Sequence, residues 1–244
     1  MAYAGDFLWN VFRLGAFFMV VPIFGNQLIS TRIRAALTIA AALALTPVLR
    51  MYIDLAAFDL NTITELFTHM LFSAGLGFAA MIFFHLFVIA GQFIGMQMGL
   101  GFAAMVDPGN GVQVTVWSQF FLMLVTLSFL AVDGHLVLLE ILVKGYQIIP
   151  QTTDLAMGLV RMGGWMFVGG ILLAIPAVVA LLIVNLSFGI MNRSAPQLNV
   201  FALGFPFSLM FGLVVIWLLL LDWGAQFQRL IETFFSLLMT LGLQ

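Results

Sequence analysis

LFTHMLFSAGLGFAAMIFFHLFVIAGQFIGMQMGLGFAAMV, Leu66 to Val106, runs for forty-one residues without an Asp, Glu, Lys or Arg. As one α-helix it reaches about 60 Å at 1.5 Å per residue, twice the ~30 Å hydrocarbon core of a bilayer. A simple span is excluded, so the run bends back, breaks, or leaves lipid while packed against other protein. Directly after it, MVDPGNGVQ (Met105–Gln113) places an acid, a proline, two glycines and an asparagine before another uncharged run, Val112–Val132. Pro108 lacks an N–H and fixes φ, which ends a helix, and Gly109 and Gly111 reach backbone conformations that cost other residues more. Such a breaker is either a loop at a membrane surface or a piece of backbone inside a pore. Non-helical backbone at membrane depth is tolerated only where protein buries it or water lines it. The residues alone leave both readings open.

The solvent follows from composition. The chain is 64% hydrophobic and 7% charged, with mean hydropathy +1.18, whereas soluble domains are near a quarter charged. At least five uncharged runs approach or exceed the ~20 residues of a membrane helix. They lack the period-two alternation of a membrane β-barrel. An all-α integral membrane protein is expected. A net charge of −2 without a basic patch argues against nucleic acid, and the lack of cysteine excludes disulfides, thiolate metal sites and cysteine catalysis. The N-terminal MAYAGDFLWN has no basic n-region or small-residue cleavage site, so a cleaved signal peptide is not expected.

The charges divide the chain into six candidate segments, roughly 7–29, 35–53, 66–106, 116–149, 165–191 and 201–240. Arg32 and Arg34 separate the first two, Arg193 separates the last two, and 50–65 is net acidic (Arg50 against Asp54, Asp59 and Glu65). The positive-inside bias places 30–34 and 192–200 in the cytoplasm and 50–65 outside, so six spans leave both termini outside. Lys144 and Arg161 against Asp154 in 144–161 pull mildly the other way.

Polar and small residues inside the apolar runs mark candidate sites. Gly91, Gly95 and Gly99 recur every four residues, a face that admits a close helix, from this chain or another subunit. Gln92 and Gln97 in the same run need hydrogen-bond partners in lipid. Met96, Met98 and Met105 precede the breaker; flexible thioethers fill irregular gaps, as core filler or as a deformable seal beside a constriction. Asp133, His135 and Glu140 are candidates for a polar relay, since ionisable groups at membrane depth default to function. A helix end outside lipid explains them as well, and Glu140 and Lys144 have the i, i+4 spacing of an ion pair.

Catalysis finds little footing. His69, His85 and His135 are scattered, and no HExxH, GxSxG or Walker A string occurs. Neither an enzyme nor a metal or organic cofactor is expected.

RLGAFFMVVPIFGNQLISTRIRAALTIAAALALTP (13–47), GFAAMVDPGNG (101–111), AVDGHLVLLEILVKGYQIIP (131–150) and NLSFGIMNRSAPQLNVFALGFP (185–206) together resemble the FliR family of flagellar biosynthetic export-gate proteins and its counterpart in virulence type III secretion. The resemblance covers nearly the whole chain in the same order. Its most specific string is Asn-x3-Gly…Asn-Arg-x2-Pro-Gln-x-Asn-x-Phe-x2-Gly-x-Pro. Ser30 departs from it, since the family often has a proline before the basic pair.

The resemblance implies more than composition does. It implies a FliP-like part over 1–159 and a FliQ-like helical hairpin over 160–244, turning at Asn192, Arg193, Pro196, Gln197 and Asn199. It implies assembly with FliP and FliQ into a helical export gate in the bacterial inner membrane at the flagellar basal body, partly raised above the membrane on the periplasmic side. FlhB and FlhA are implied as further partners, and unfolded flagellar subunits as the cargo. The segment 106–115, with Asp107, Pro108, Gly109, Asn110 and Gly111, is then expected to plug the channel. DPGNG with DGH is closer to the flagellar than to the virulence branch. The alternative is a proton-coupled secondary transporter using Asp133 and Glu140. It calls for inverted repeats with breaks in both halves, and the sequence shows no such internal symmetry.

Overall fold

The computed structural model describes residues 2–25, 30–48, 59–100, 115–145, 152–194 and 200–239. Among them the regular structure is helical throughout. The helices are α1 (Ala2–Val20), α2 (Pro22–Gly25), α3 (Thr31–Leu45), α4 (Leu60–Gln97), α5 (Val116–Ala131), α6 (Gly134–Lys144), α7 (Thr152–Ser194), α8 (Val200–Leu221) and α9 (Trp223–Met239). This is the all-α membrane architecture that the uncharged runs predict.

The count of spans differs from the six expected segments. By length and composition three described helices can cross a bilayer: Leu60–Gln97, Asp154–Met191 within α7 and Gly204–Leu221 within α8. A fourth is possible if α5 and α6, bent by 67° at their junction, act as one. α3 has only fifteen residues, and α1 carries Asp6 and Arg13, both buried. Charge-free length overstates spanning, because polar groups can be satisfied by protein inside a helix-rich fold.

The long uncharged run does not bend back within α4. It forms one helix of 38 residues, about 57 Å at 1.5 Å per residue. Ile82, Phe83, Phe84, Leu86 and Phe87 are all buried, and at 3.6 residues per turn they cover more than half of the helix's circumference, while Phe78 and Met81 leave the remaining side exposed. Protein therefore covers most of its middle. Its most apolar window is 67% buried, against 22% for the window in α7 and 17% for that in α8.

The chain forms two compact units. One comprises residues 1–83, 129–163 and 234–244, the other 84–128 and 164–233. The first unit's core includes Phe83, which stacks on Phe234 at 4.7 Å between ring centroids and tilts against Phe129 at 5.9 Å. In the second, Trp223 gathers Phe87, Phe121 and Phe227 at 5.3–6.1 Å. Its indole N–H donates to Ser128 Oγ at 2.9 Å.

The break between α5 and α6 has a local cause. Asp133 adopts the left-handed conformation, φ 55°, which Asp tolerates better than most residues. Its N–H donates to Leu130 O at 3.1 Å. Gly134 follows because the Phe129 ring would stand 2.7 Å from a Cβ there. The DG pair is thus the corner of this segment.

Candidate functional site at the roots of segment 101–114

Two helix ends bracket the breaker, and both are built by recognisable local chemistry. α4 stops at Gly99, φ +82°. Leu100 N–H donates to Gly95 O and Gly99 N–H to Met96 O, each at 3.0 Å; these paired bonds close a helix C-terminus through a glycine that accepts the left-handed turn. α5 begins at Thr115, whose Oγ1 accepts the Ser118 N–H at 3.3 Å as a threonine N-cap does. Residues 101–114 lie outside the described residues, and with them Asp107, Pro108, Gly109, Asn110, Gly111 and Met105.

Both roots meet on one turn of α4. Leu100 bonds to Gly95 O, and a Cβ on Gly95 would stand 2.6 Å from Thr115 Oγ1. Leu100 and Thr115, the described neighbours of residues 101–114, therefore lie close together. A polar clasp holds that place together. Thr115 Oγ1 donates to Gly91 O at 3.2 Å, and Thr115 N–H donates to Gln92 Oε1 at 3.0 Å. Ser118 Oγ stands 3.0 Å from Val88 O and 3.1 Å from Gln92 Oε1; its single proton serves one of them at a time. Gln92 thus finds the partners that its place in an apolar helix demands.

The three glycines do two jobs. A Cβ on Gly91 would lie 2.6 Å from Trp117 O and 2.7 Å from the Ser118 backbone, so Gly91 and Gly95 admit the start of α5 from the same chain. Gly99 caps the helix. The last turn of α4 is also tied to α7 and α8: Asn185 Nδ2 donates to Gln97 O at 3.3 Å, and Ser208 Oγ donates to Asn185 Oδ1 at 2.8 Å. Met98 is 1% exposed and packs on Gly212 of α8, whereas Met96 is 56% exposed.

The other singled-out residues lie apart from this clasp. Asp133 is exposed at the corner and His135 half-buried. Glu140 pairs with Lys144 at 2.7 Å, both well exposed, as their spacing predicts. Of the residues expected at a turn, Arg193 is exposed in the last turn of α7, whereas Pro196, Gln197 and Asn199 lie outside the described residues. Asn192 is helical.

A second buried polar cluster is one that the sequence reading passes over. Arg13, fully buried in α1, has its Nη1 2.8 Å from His69 Nδ1. Arginine only donates, so this nitrogen accepts and the ring proton sits on Nε2. Arg13 Nη2 donates to Leu142 O in the last turn of α6 at 3.3 Å, where a cation complements the helix C-terminus. The guanidinium lies 5.9 Å from the Phe72 ring centroid. Nearby, Asn10 Nδ2 donates to Thr46 Oγ1 at 3.1 Å. Arg13→Lys loses the planar fork whose two nitrogens reach the two acceptors at once, and Arg13→Leu leaves both unsatisfied at about 3 kcal/mol. Both should lower the thermal unfolding midpoint in detergent by several degrees, whereas Arg229→Lys, on an exposed surface, leaves it unchanged.

An all-helical fold with three described helices long and apolar enough to cross a bilayer defines an all-α integral membrane protein. Residues 4–234 match the family model described as "Bacterial export proteins, family 1", and the chain belongs to that family. It is 32% identical over 223 residues to the flagellar biosynthetic protein FliR of Pectobacterium carotovorum subsp. carotovorum, covering 89% of this chain and 85% of the relative. The FliR of Escherichia coli (strain K12) is 31% identical, covering 87% and 83%. That of Caulobacter vibrioides is 29% identical, covering 91% and 92%.

Proposed function

We propose that this protein is a structural and gating subunit of a flagellar protein export gate in the bacterial inner membrane, with residues 106–115 as a plug in its channel. The supporting observation is the closeness of Leu100 and Thr115, the described neighbours of 101–114, held by Thr115, Gln92 and Ser118 on a helix largely buried by protein. A segment whose ends are fixed together can project from the wall and move without moving the wall. The breaker residues permit the compact, non-helical backbone this requires. The near full-length likeness to proteins named FliR gives the system. Residues 1–159 then form a FliP-like part and 160–244 a FliQ-like hairpin, with Arg193 in its cytoplasmic turn. FliP and FliQ are the gate partners, FlhB and FlhA complete the export machine, and unfolded flagellar subunits are the cargo. Met96 and Met105 line the seal, and Met98 steadies it from within the fold. Asp133, His135 and Glu140 then mark a corner and a helix end, and no proton step is routed through them.

The reading is tested by co-expression. The tagged chain, extracted in mild detergent, should bring down FliP and FliQ in a fixed ratio. A chain that runs alone or as a homo-oligomer with both partners present would instead support the transporter reading.

A further inference from the structure

α7 and α8 are apolar and little buried in their most apolar windows, yet each places a polar side chain at the end of α4. The last four carbonyls of an α-helix run out of helical partners. In α4, Ile94 O accepts the Met98 N–H, and Gly95 O and Met96 O accept those of Leu100 and Gly99. The fourth, Gln97 O, is served from another helix, by Asn185 Nδ2 at 3.3 Å. A carbonyl only accepts, so the amide turns its NH2 to Gln97 and its Oδ1 away. Ser208, buried in α8, donates to that Oδ1 at 2.8 Å and fixes the orientation. Phe205, Ser208 and Gly212 share one face of α8, at i, i+3 and i+7. Phe205 stands 3.2 Å from where a Cβ on Gly99 would be, and Gly212 receives Met98. The hydrogen-bonded pair therefore sits between two apolar contacts to the same turn of α4.

Apolar contact is non-directional, so by itself it leaves packed helices free to slide. A polar pair adds little net stability over an apolar pair of the same size. What it adds is register, as a single asparagine does in a coiled coil. We propose that Asn185 is a positioning residue of the gate: oriented by Ser208, it sets where α4 ends against α7 and α8. Its functional side rests on the plug reading given above. Leu100 is the last described residue before segment 101–114, and a plug is seated only as firmly as the residue it hangs from.

The test uses the full chain assembled with its gate partners. Asn185→Leu removes both bonds, Ser208→Ala removes only the orienting one, and Ser208→Thr keeps the hydroxyl. Hydrogen exchange of the Met98, Gly99 and Leu100 amides, followed by mass spectrometry, should rise about tenfold in Asn185→Leu and about threefold in Ser208→Ala. Ser208→Thr should match wild type. Detergent unfolding midpoints and recovery of the complex should stay unchanged, and the ion leak should follow the order of the exchange. Ser208→Ala decides if Asn185→Leu does not fold. Unchanged exchange overturns the proposal, and so does a fall in midpoint that accounts for the faster exchange, since a merely structural residue gives that result. Deleting residues 107–111 separates the remaining cases. If the deletion leaks while Asn185→Leu and Ser208→Ala exchange faster but stay tight, Asn185 does not position the gate. If the deletion is tight as well, the plug reading fails, and Asn185 positions only the helix end.

Discussion

Deleting residues 107–111 should make the inner membrane leak small ions and solutes while the subunit still assembles with its partners. The deletion removes five of the fourteen residues 101–114 and leaves nine, which can span up to about 30 Å when extended. The gap they must bridge is far shorter, because Leu100 and Thr115 both rest on Gly95. Neither the glycine cap of α4 nor the Thr115 cap of α5 is touched, so both helices keep their ends. On the proposed reading, the shortened plug no longer reaches across the channel. The leak should be partial, because flexible thioethers can collapse into the space, and worse when Met96 and Met105 are also replaced by alanine. Replacing Met98 as well should weaken the fold, since that side chain is buried against Gly212. The measurement is single-channel conductance, or growth inhibition by a normally excluded solute, in cells expressing the deletion with FliP and FliQ. A deletion complex that assembles and stays as tight as wild type would reduce MVDPGNGVQ to a connector.

Gly91→Ala should cripple the protein by adding one methyl group. The added Cβ would stand 2.6 Å from Trp117 O and 2.7 Å from the Ser118 backbone, and backbone cannot rotate away as a side-chain end can. Overpacking of this kind typically costs about 1–3 kcal/mol. Here it also pulls Thr115 from Gly91 O and from Gln92, opening the clasp. Gly95→Leu should act in the same direction and more strongly, since its Cβ meets the short, branched Thr115 side chain at 2.6–2.8 Å. Gly189→Ala is the control. It lies in α7 with nothing within 4 Å of its Cβ, and alanine there should be neutral or stabilising by up to about 1 kcal/mol. Detergent unfolding midpoints, recovery of the assembled complex and swimming motility together read the effect. A Gly91→Ala protein that matches the Gly189→Ala control in all three would show that the helices part without penalty.

How much of this was legible in the sequence depends on how far apart the interacting residues lie. The solvent and the helical class were legible, because each is a property of contiguous stretches. The Glu140–Lys144 pair was legible too, four residues apart on one helix. Thr115, in front of the apolar run VWSQFFLMLVTLSFLA, carries the ordinary signal of an N-cap, and Gly99 that of a C-cap. Reading Gly99 only as the third member of a spacing pattern missed this. The six charge-free runs outnumber the three or four described helices long and apolar enough to cross a membrane, because charge-free length says nothing about whether protein or lipid surrounds a helix.

What the sequence by itself determined is therefore local: helices in an apolar medium, with polar residues that must find partners somewhere. Which partners they find was decided only in three dimensions. Arg13 meets His69 fifty-six residues away and Leu142 129 residues away, and Gln97 O meets Asn185 across 88. Gly91 and Gly95 admit α5, although the same spacing equally permits another subunit. A buried polar group in an apolar fold must be satisfied by whatever donor or acceptor the packing brings to it, and packing at that range leaves no period along the chain.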